Sequence, residues 1–103
     1  MKDENAQNEA LAQISQNIFG TSARLQIVNP RDLVLLKQNA RFFKKDTFKQ
    51  LVENIRADKR LSSVPLCRFL KDGRIEVLSG NHRVKAAVEA GLEKILVIVL
   101  LED

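Results

Sequence analysis

The chain has little of several residue types, and each shortage excludes a class of protein. A single cysteine, Cys67, cannot form a disulfide within the chain, so an intracellular, reducing compartment is the default. Tryptophan and tyrosine are absent and there are five phenylalanines, which leaves few rings for stacking bases of single-stranded nucleic acid. No apolar run approaches the ~20 residues of a transmembrane helix. The polar, acidic start is unlike a signal peptide. We therefore expect a cytoplasmic protein that does not contact a membrane.

The composition that remains is that of a folded domain. Of the 103 residues, 45% are hydrophobic and 29% are charged, which is ordinary for globular proteins and argues against disorder. The formal net charge of +4 comes from scattered basic residues. This excess is compatible with a nucleotide or nucleic-acid partner, but a solvated surface has the same composition.

The first twenty residues predict an amphipathic helix, over 4–19, that ends at Gly20. Its narrow apolar stripe consists of Ala6, Ala10, Leu11, Ile14 and Ile18. Such a terminal helix can dock on its own domain, pair with a second subunit or fray. We therefore divide the chain into an N-terminal helix, residues 1–20, and a domain, residues 21–103.

The domain alternates strands and helices. Strands are predicted at 24–28, 66–70, 75–78 and 95–101, and helices at 47–58, with Asp46 as the N-cap, and at 81–90, ending at Gly91. Residues 32–36 fit either a short strand or a helical turn. Asp72-Gly73 predicts a hairpin turn with positive φ angles. The last strand is apolar throughout, which predicts a central strand buried on both faces. The order indicates a small α+β domain with a mixed sheet.

A candidate anion site lies at residues 77–87. An apolar strand ends at Ser79-Gly80, and a helix then begins with Asn81, His82 and Arg83. The first N–H groups of a helix lack partners and carry about half a positive charge, and the arginine fork fits phosphate.

Each residue of this candidate site also has a purely structural interpretation. Gly80 could serve only to turn the strand into the helix, and Arg83 could be a solvated or ion-paired surface residue. His82 could neutralise phosphate, ligate a metal or cap the helix.

This stretch, followed by Ala90-Gly91 and an apolar strand, resembles the second signature box of the ParB/sulfiredoxin superfamily. Upstream, the run Asn39 to Phe43 resembles the first box, and the helix from Leu51 to Ile55 matches the element between the boxes. The resemblance covers about residues 24–101 and implies the superfamily's small mixed sheet packed with helices.

The resemblance also implies a ligand. ParB-like domains bind a nucleoside triphosphate, typically CTP with a divalent cation. By analogy, Arg83 would contact phosphate, Gly80 and Asn81 would allow close approach of the backbone, and Arg41 would reach the phosphates from the other side. Arg41 could instead be an ordinary loop residue beside two phenylalanines.

Several departures narrow the expected activity. Asn81 stands where the sulfiredoxin branch has its catalytic cysteine, so sulfiredoxin activity is not expected, and Cys67 suits a core residue better than a replacement. His82 replaces the second arginine usual in partition proteins. The stretch 60–65 keeps its proline but lacks the preceding Gly and Gln, and no helix-turn-helix follows before Asp103.

We therefore expect a nucleotide- or phosphate-binding module linked to DNA maintenance or mobile elements, with CTP or ATP and Mg²⁺ as the candidate ligand. Turnover would be slow nucleotide hydrolysis at most, and no protein-held metal site or catalytic residue is assigned. Partners would be the nucleotide, DNA weakly or through another protein, and a second copy through the N-terminal helix. Two alternatives stay open: a phosphotransferase or nuclease using the same pocket, and an interaction protein with a vestigial pocket.

Overall fold

The computed structural model describes residues 2–35 and 45–101, whose elements alternate as the sequence predicts. Within these ranges the helices are α1 (Lys2–Phe19), α2 (Lys45–Asp58) and α3 (Asn81–Glu89), with a short 3-10 turn at Pro30–Asp32. The strands are β1 (Ala23–Val28), β2 (Leu33–Val34), β3 (Leu66–Phe69), β4 (Ile75–Ser79) and β5 (Ile95–Leu100). Of the stretch left open at 32–36, residue 36 lies outside the described residues, and residues 32–34 combine the end of a helical turn with a two-residue strand.

The described strands form one mixed sheet in the order β1-β5-β3-β4-β2. The β1–β5 and β3–β4 pairs are antiparallel, whereas β3–β5 and β2–β4 are parallel. The α+β class with a small mixed sheet is therefore confirmed.

One face of the sheet carries the core. Cys67, Val77, Val97 and Val99 are fully buried against Val84 of α3. Ala86, on the other side of α3, packs with Val52 and Ile55 of α2. Because α3 contributes to both clusters, its start, where the candidate site lies, is held by the sheet and by α2 together.

The prediction that β5 is buried on both faces is wrong. The strand does lie between β1 and β3, but Leu96 is 37% exposed while Ile95, Val97 and Val99 are buried. Neighbouring β3 and β4 place an Arg68–Glu76 ion pair on this second face, at 2.9 Å. A central position in the sheet therefore did not require helices on both sides.

Two capping predictions also change. Helix α2 already includes Lys45, so Asp46 lies in its first turn rather than at the N-cap, where its carboxylate still favours the helix dipole. In the hairpin, Gly73 has φ +91°, but Asp72 is not among the described residues with positive φ. Asp72 instead accepts a hydrogen bond from the backbone N–H of Arg74 at 3.0 Å.

Helix α1 docks along the free edge of β1 through polar side chains. Asn8 accepts a hydrogen bond from the Ile27 N–H at 2.8 Å and donates to the carbonyl of the same residue at 3.3 Å. Ser15 accepts from the Leu25 N–H at 2.8 Å. These bonds occupy backbone groups that an edge strand would otherwise expose. The apolar stripe is not the docking surface, and Ile14 and Ile18 stay 47% and 64% exposed.

Candidate functional site

The candidate site begins at a glycine that the fold requires. Gly80 precedes α3 with φ +102° and ψ +21°, a left-handed conformation that side chains disfavour. A Cβ added there would lie 3.2 Å from the Pro65 Cβ and 3.3 Å from its Cα. Pro65 is itself buried, so Gly80 is needed both for the turn and for packing against the segment before β3.

Asn81 uses its side chain inside the fold. The residue is 6% exposed, and its Nδ2 donates to the Val77 carbonyl at 3.3 Å. This bond ties the start of α3 back to β4. Any contact of Asn81 with a ligand would therefore come from its backbone, as the resemblance implies.

The next two residues lie in the first turn of α3 and are half-buried. Arg83 extends towards the segment that leads into β3, and its Nη1 donates to the Ser62 Oγ at 2.7 Å. The guanidinium is thus oriented by a hydroxyl from a distant part of the chain while keeping other N–H groups for a ligand.

Arg83 opens onto a cavity of about 400 Å³ between α2 and residues 60–62, called here the Arg83 cavity. Its lining residues are Leu51, Asn54, Ile55, Ala57, Asp58, Arg60, Ser62 and Arg83. Two arginines against one aspartate leave a net positive charge on its walls. Such a cavity attracts anions, and its amide and hydroxyl can accept or donate hydrogen bonds.

The predicted site residues are only partly brought together here. Arg83 lines the cavity, while Gly80, Asn81 and His82 precede it on the same turn and are not part of its lining. Arg41 lies outside the described residues. Sequence reasoning missed Ser62, Arg60 and the α2 wall. The nearest sequence feature was the proline of the 60–65 stretch, but only the fold shows that Pro65 packs on Gly80 and brings this segment against α3.

Cys67 is a core residue, as predicted. Its thiol is fully buried, and burial raises the pKa of Cys67 to about 11. A thiolate is therefore disfavoured at neutral pH, which is unsuited to nucleophilic sulfur chemistry.

Two features of residues 2–35 and 45–101 bear on other kinds of site. No group of three or more His, Cys, Asp or Glu side chains in these ranges could together hold a metal ion. None of the helices described there is long and apolar enough to cross a membrane.

The fold and the turn define a class: a small mixed sheet in which β4 leads through a left-handed glycine into a helix bearing an arginine in its first turn. Sequence comparison identifies the family within it. The ParB N-terminal domain family matches residues 6–102, so the chain belongs to that family. No curated protein matches it significantly.

Solved structures share the fold. The truncated chromosome-partitioning protein ParB from Caulobacter crescentus, complexed with CTP-γ-S, has a TM-score of 0.64 and 24% identity over 77% of this chain. The same protein complexed to the centromeric parS site has a TM-score of 0.62 and 24% identity over 72% of this chain. Sulfiredoxin from Arabidopsis thaliana has a TM-score of 0.60 and 21% identity over 73% of this chain.

The lengths covered differ between these relatives. The match spans 45% and 38% of the two ParB chains but 82% of the sulfiredoxin chain. The shared unit is thus less than half of either ParB chain. The membership predicted from the two boxes in the ParB/sulfiredoxin superfamily is confirmed.

Proposed function

We propose that this chain is a ParB-type nucleotide- or phosphate-binding module whose ligand contacts Arg83. The observation that carries the proposal is the Arg83–Ser62 hydrogen bond, which orients the guanidinium at the wall of a net positive cavity. Family membership and the CTP-γ-S bound to the Caulobacter ParB support a nucleoside triphosphate, with CTP or ATP and Mg²⁺ as the candidates.

The remaining site residues take roles around that contact. The turn at Gly80 and Asn81 lets phosphate approach the backbone N–H groups at the start of α3, where the helix dipole favours an anion. His82 adds positive charge when protonated. Arg41 supplies a second cation, as the resemblance implies. Asp58 is the acidic residue among the cavity walls and could face a phosphate-bound Mg²⁺.

Calorimetric titration with CTP, ATP and GTP, each with Mg²⁺, tests this proposal. Arg83→Ala should weaken the binding of the preferred nucleotide by about tenfold to a hundredfold, since hydrogen bonds to charged groups contribute about 1.5–3 kcal/mol. Arg74→Ala is the matched control, because it removes an arginine from the exposed hairpin, paired there with Asp72. Absence of binding by all three nucleotides, or equal losses in both variants, would contradict the proposal.

Turnover is tested separately from binding. We expect phosphate release to be slow at most. Hydrolysis needs a metal-held phosphate and a positioned water, and the described residues contain no group of three or more acidic, His or Cys side chains that could hold the metal. Measurements of phosphate released from the nucleotide and of DNA cleaved over hours, with Arg83→Ala beside the wild type, distinguish a binding module from a phosphotransferase or a nuclease. Rapid release that depends on Arg83 would favour the enzyme.

The cellular role that we propose is DNA maintenance or a mobile-element function in the cytoplasm, with DNA contacted weakly or through another protein. The parS complex of the Caulobacter ParB supports this class of partner. A fluorescent duplex titrated with the protein, with and without nucleotide, tests it. Tight, salt-insensitive binding by the chain alone would contradict weak contact, because phosphate contacts lose affinity steeply with salt.

A second copy of the chain is a further candidate partner. Ile14 and Ile18, one turn apart on α1, are 47% and 64% exposed although the helix is docked. Pairing of these residues across two copies would bury them. Sedimentation equilibrium of the wild type and Ile18→Glu tests this: a dimer that becomes a monomer in the variant supports it, and an unchanged monomer contradicts it.

A further inference from the structure

A second concavity, of about 680 Å³, lies between α1, residues 60–64 and the start of β5. We call it the apolar groove. Its lining residues are Gln7, Ala10, Leu11, Ile27, Arg60, Leu61, Ser63, Val64, Lys94, Ile95 and Leu96. Residues 60–64 lie between it and the Arg83 cavity: Ser62 lines the cavity, Leu61, Ser63 and Val64 line the groove, and Arg60 lines both.

The walls of the groove are mainly aliphatic. Val64 and Leu96 are 40% and 37% exposed, and Leu11 and Leu61 lie half-buried beside them. The groove exists because α1 is held to β1 by Asn8 and Ser15, which leaves the side of the helix that carries Ala10 and Leu11 facing it. A concavity of a few hundred Å³ with apolar walls and few polar groups is typical of small-ligand sites.

Among the residues that the structure describes, the charged groups lining the groove have the same sign. Arg60 and Lys94 are the charged residues among its lining, and neither makes a salt bridge within the part of the chain that the structure describes. Neither Asp58 nor Glu93 lines the groove, although Asp58 shares the Arg83 cavity with Arg60. Two unpaired cations beside an apolar wall attract an anion and disfavour a cation.

We propose that the apolar groove binds an amphipathic anion: a small molecule with an aliphatic or aromatic body and one anionic headgroup near Arg60 and Lys94. The apolar body supplies affinity by leaving water, and the two cations select the sign of the headgroup. Arg60 lines both the groove and the Arg83 cavity, whereas Lys94 and the α1 wall belong to the groove alone. Variants of Lys94 and α1 therefore test the groove without altering the Arg83 cavity.

Binding is measured with the fluorescent apolar anion 8-anilinonaphthalene-1-sulfonate, displaced by dodecanoate or by dodecyltrimethylammonium below their micelle concentrations. These two competitors share a chain and differ in charge. Dodecanoate should displace the probe at least tenfold more effectively. From octanoate to dodecanoate, each added CH₂ should tighten binding by up to about fourfold.

Variants locate the site. Lys94→Glu should weaken the binding of dodecanoate at least tenfold and tighten the binding of dodecyltrimethylammonium. Lys94→Gln should weaken the binding of dodecanoate by a smaller factor. Ala10→Trp, at an exposed helix position, should fill the groove and weaken both competitors. Lys71→Glu makes the same charge change in the exposed hairpin and should leave both affinities within twofold of the wild type.

Three outcomes would overturn the assignment. The two competitors could displace the probe equally, Lys94→Glu could leave dodecanoate unaffected, or the probe could fail to bind because a second copy covers the groove. Competition by an acidic amphipathic peptide of about 14 residues, without competition by dodecanoate, would instead assign the groove to a protein helix and also overturn the small-ligand proposal.

Discussion

Two glycine-containing turns bracket strand β4, and they differ in what holds them. Gly73, in the hairpin turn of residues 70–74, has φ +91°, and Gly80, in the strand–helix turn of residues 79–81, has φ +102°. A Cβ added to Gly73 meets nothing within 4 Å, whereas one added to Gly80 meets Pro65 at 3.2 Å. In the hairpin turn, glycine is therefore needed only for its backbone conformation. In the strand–helix turn, it is also needed because Pro65 leaves no room for a Cβ.

The hydrogen bonds of the two turns show the same difference. In the hairpin turn, the Leu70 N–H donates to the Arg74 carbonyl at 2.7 Å and the Gly73 N–H to the Leu70 carbonyl at 2.9 Å. These partners lie within the turn itself. The strand–helix turn also has local bonds, from Asn81 Nδ2 to the Val77 carbonyl and from the Val84 N–H to the Gly80 carbonyl at 3.0 Å. In addition, Arg83 of the helix that follows bonds Ser62, and Pro65 packs on Gly80. A substitution in the strand–helix turn should therefore disturb residues 60–65 and the Arg83 cavity, and one in the hairpin should stay local.

The largest effect is expected for Gly80→Ala. It combines a disfavoured positive φ with a contact to buried Pro65, and should lower the free energy of unfolding by about 2–4 kcal/mol. Urea denaturation measures this. A loss no larger than about 1–2 kcal/mol, which the left-handed φ alone would cost, would show that Pro65 yields easily and that the two turns do not differ.

Asn81→Ala should cost about 1–3 kcal/mol, because it removes the bond to the Val77 carbonyl at a buried position. Asn81→Asp should not restore the loss, since an ionised carboxylate has no N–H to donate. The same denaturation experiment compares the three proteins. A fully stable Asn81→Asp protein would mean that the amide donor is not what holds the start of α3.

Gly73→Ala should lower the free energy of unfolding by only about 1–2 kcal/mol, because the added Cβ is disfavoured by the left-handed conformation but meets no neighbouring atom. Gly73→Asn should cost less than Gly73→Ala, since asparagine tolerates this region. Ligand binding at the Arg83 cavity should be unchanged in both variants. A loss as large as that of Gly80→Ala would remove the distinction between the turns.

The smallest effect concerns Asp72 in the hairpin. Hydrogen bonds from the backbone N–H and then the side chain of Arg74 hold the pKa of Asp72 below its ordinary value. A lowered folded-state pKa stabilises the hairpin above the ordinary aspartate pKa, and this contribution is lost as the pH falls through the folded value. An NMR titration of the carboxyl group should show this, and Arg74→Ala should raise the pKa only in part because the backbone donor remains. Complete return to the ordinary value would contradict a leading role for the backbone bond.

The elements of the domain could be predicted because their signals are local. The 3.6-residue spacing of apolar residues in α2, the Asp72-Gly73 pair and Gly91 at the end of α3 each mark a boundary. Gly91 has φ +83°, and its N–H donates to the Val88 carbonyl at 3.1 Å, as expected for a glycine that ends a helix. Asp46 failed as an N-cap because a preceding residue continued the helix.

The site was less predictable. Arg83 and Gly80 could be proposed as parts of the candidate site because a strand, a glycine and a basic helix start follow one another in the chain. Ser62 and Arg60 could not, because a serine and an arginine in a polar stretch carry no pattern. Their position depends on Pro65 packing against Gly80, which is a contact between segments far apart in sequence.

Local order along the chain was enough to establish the α+β class, the family resemblance and the turn at Gly80, because periodicity, glycine chemistry and motif spacing act between near neighbours. The tertiary structure decided which side of each helix and strand is buried and which side stays exposed to solvent. It assigned the docking of α1 to Asn8 and Ser15 rather than to the apolar stripe. It also left one face of β5 partly exposed and separated the Arg83 cavity from the apolar groove. These outcomes depend on how helices and sheet share the available contacts, and a polar bond at a strand edge can outweigh a narrow apolar stripe.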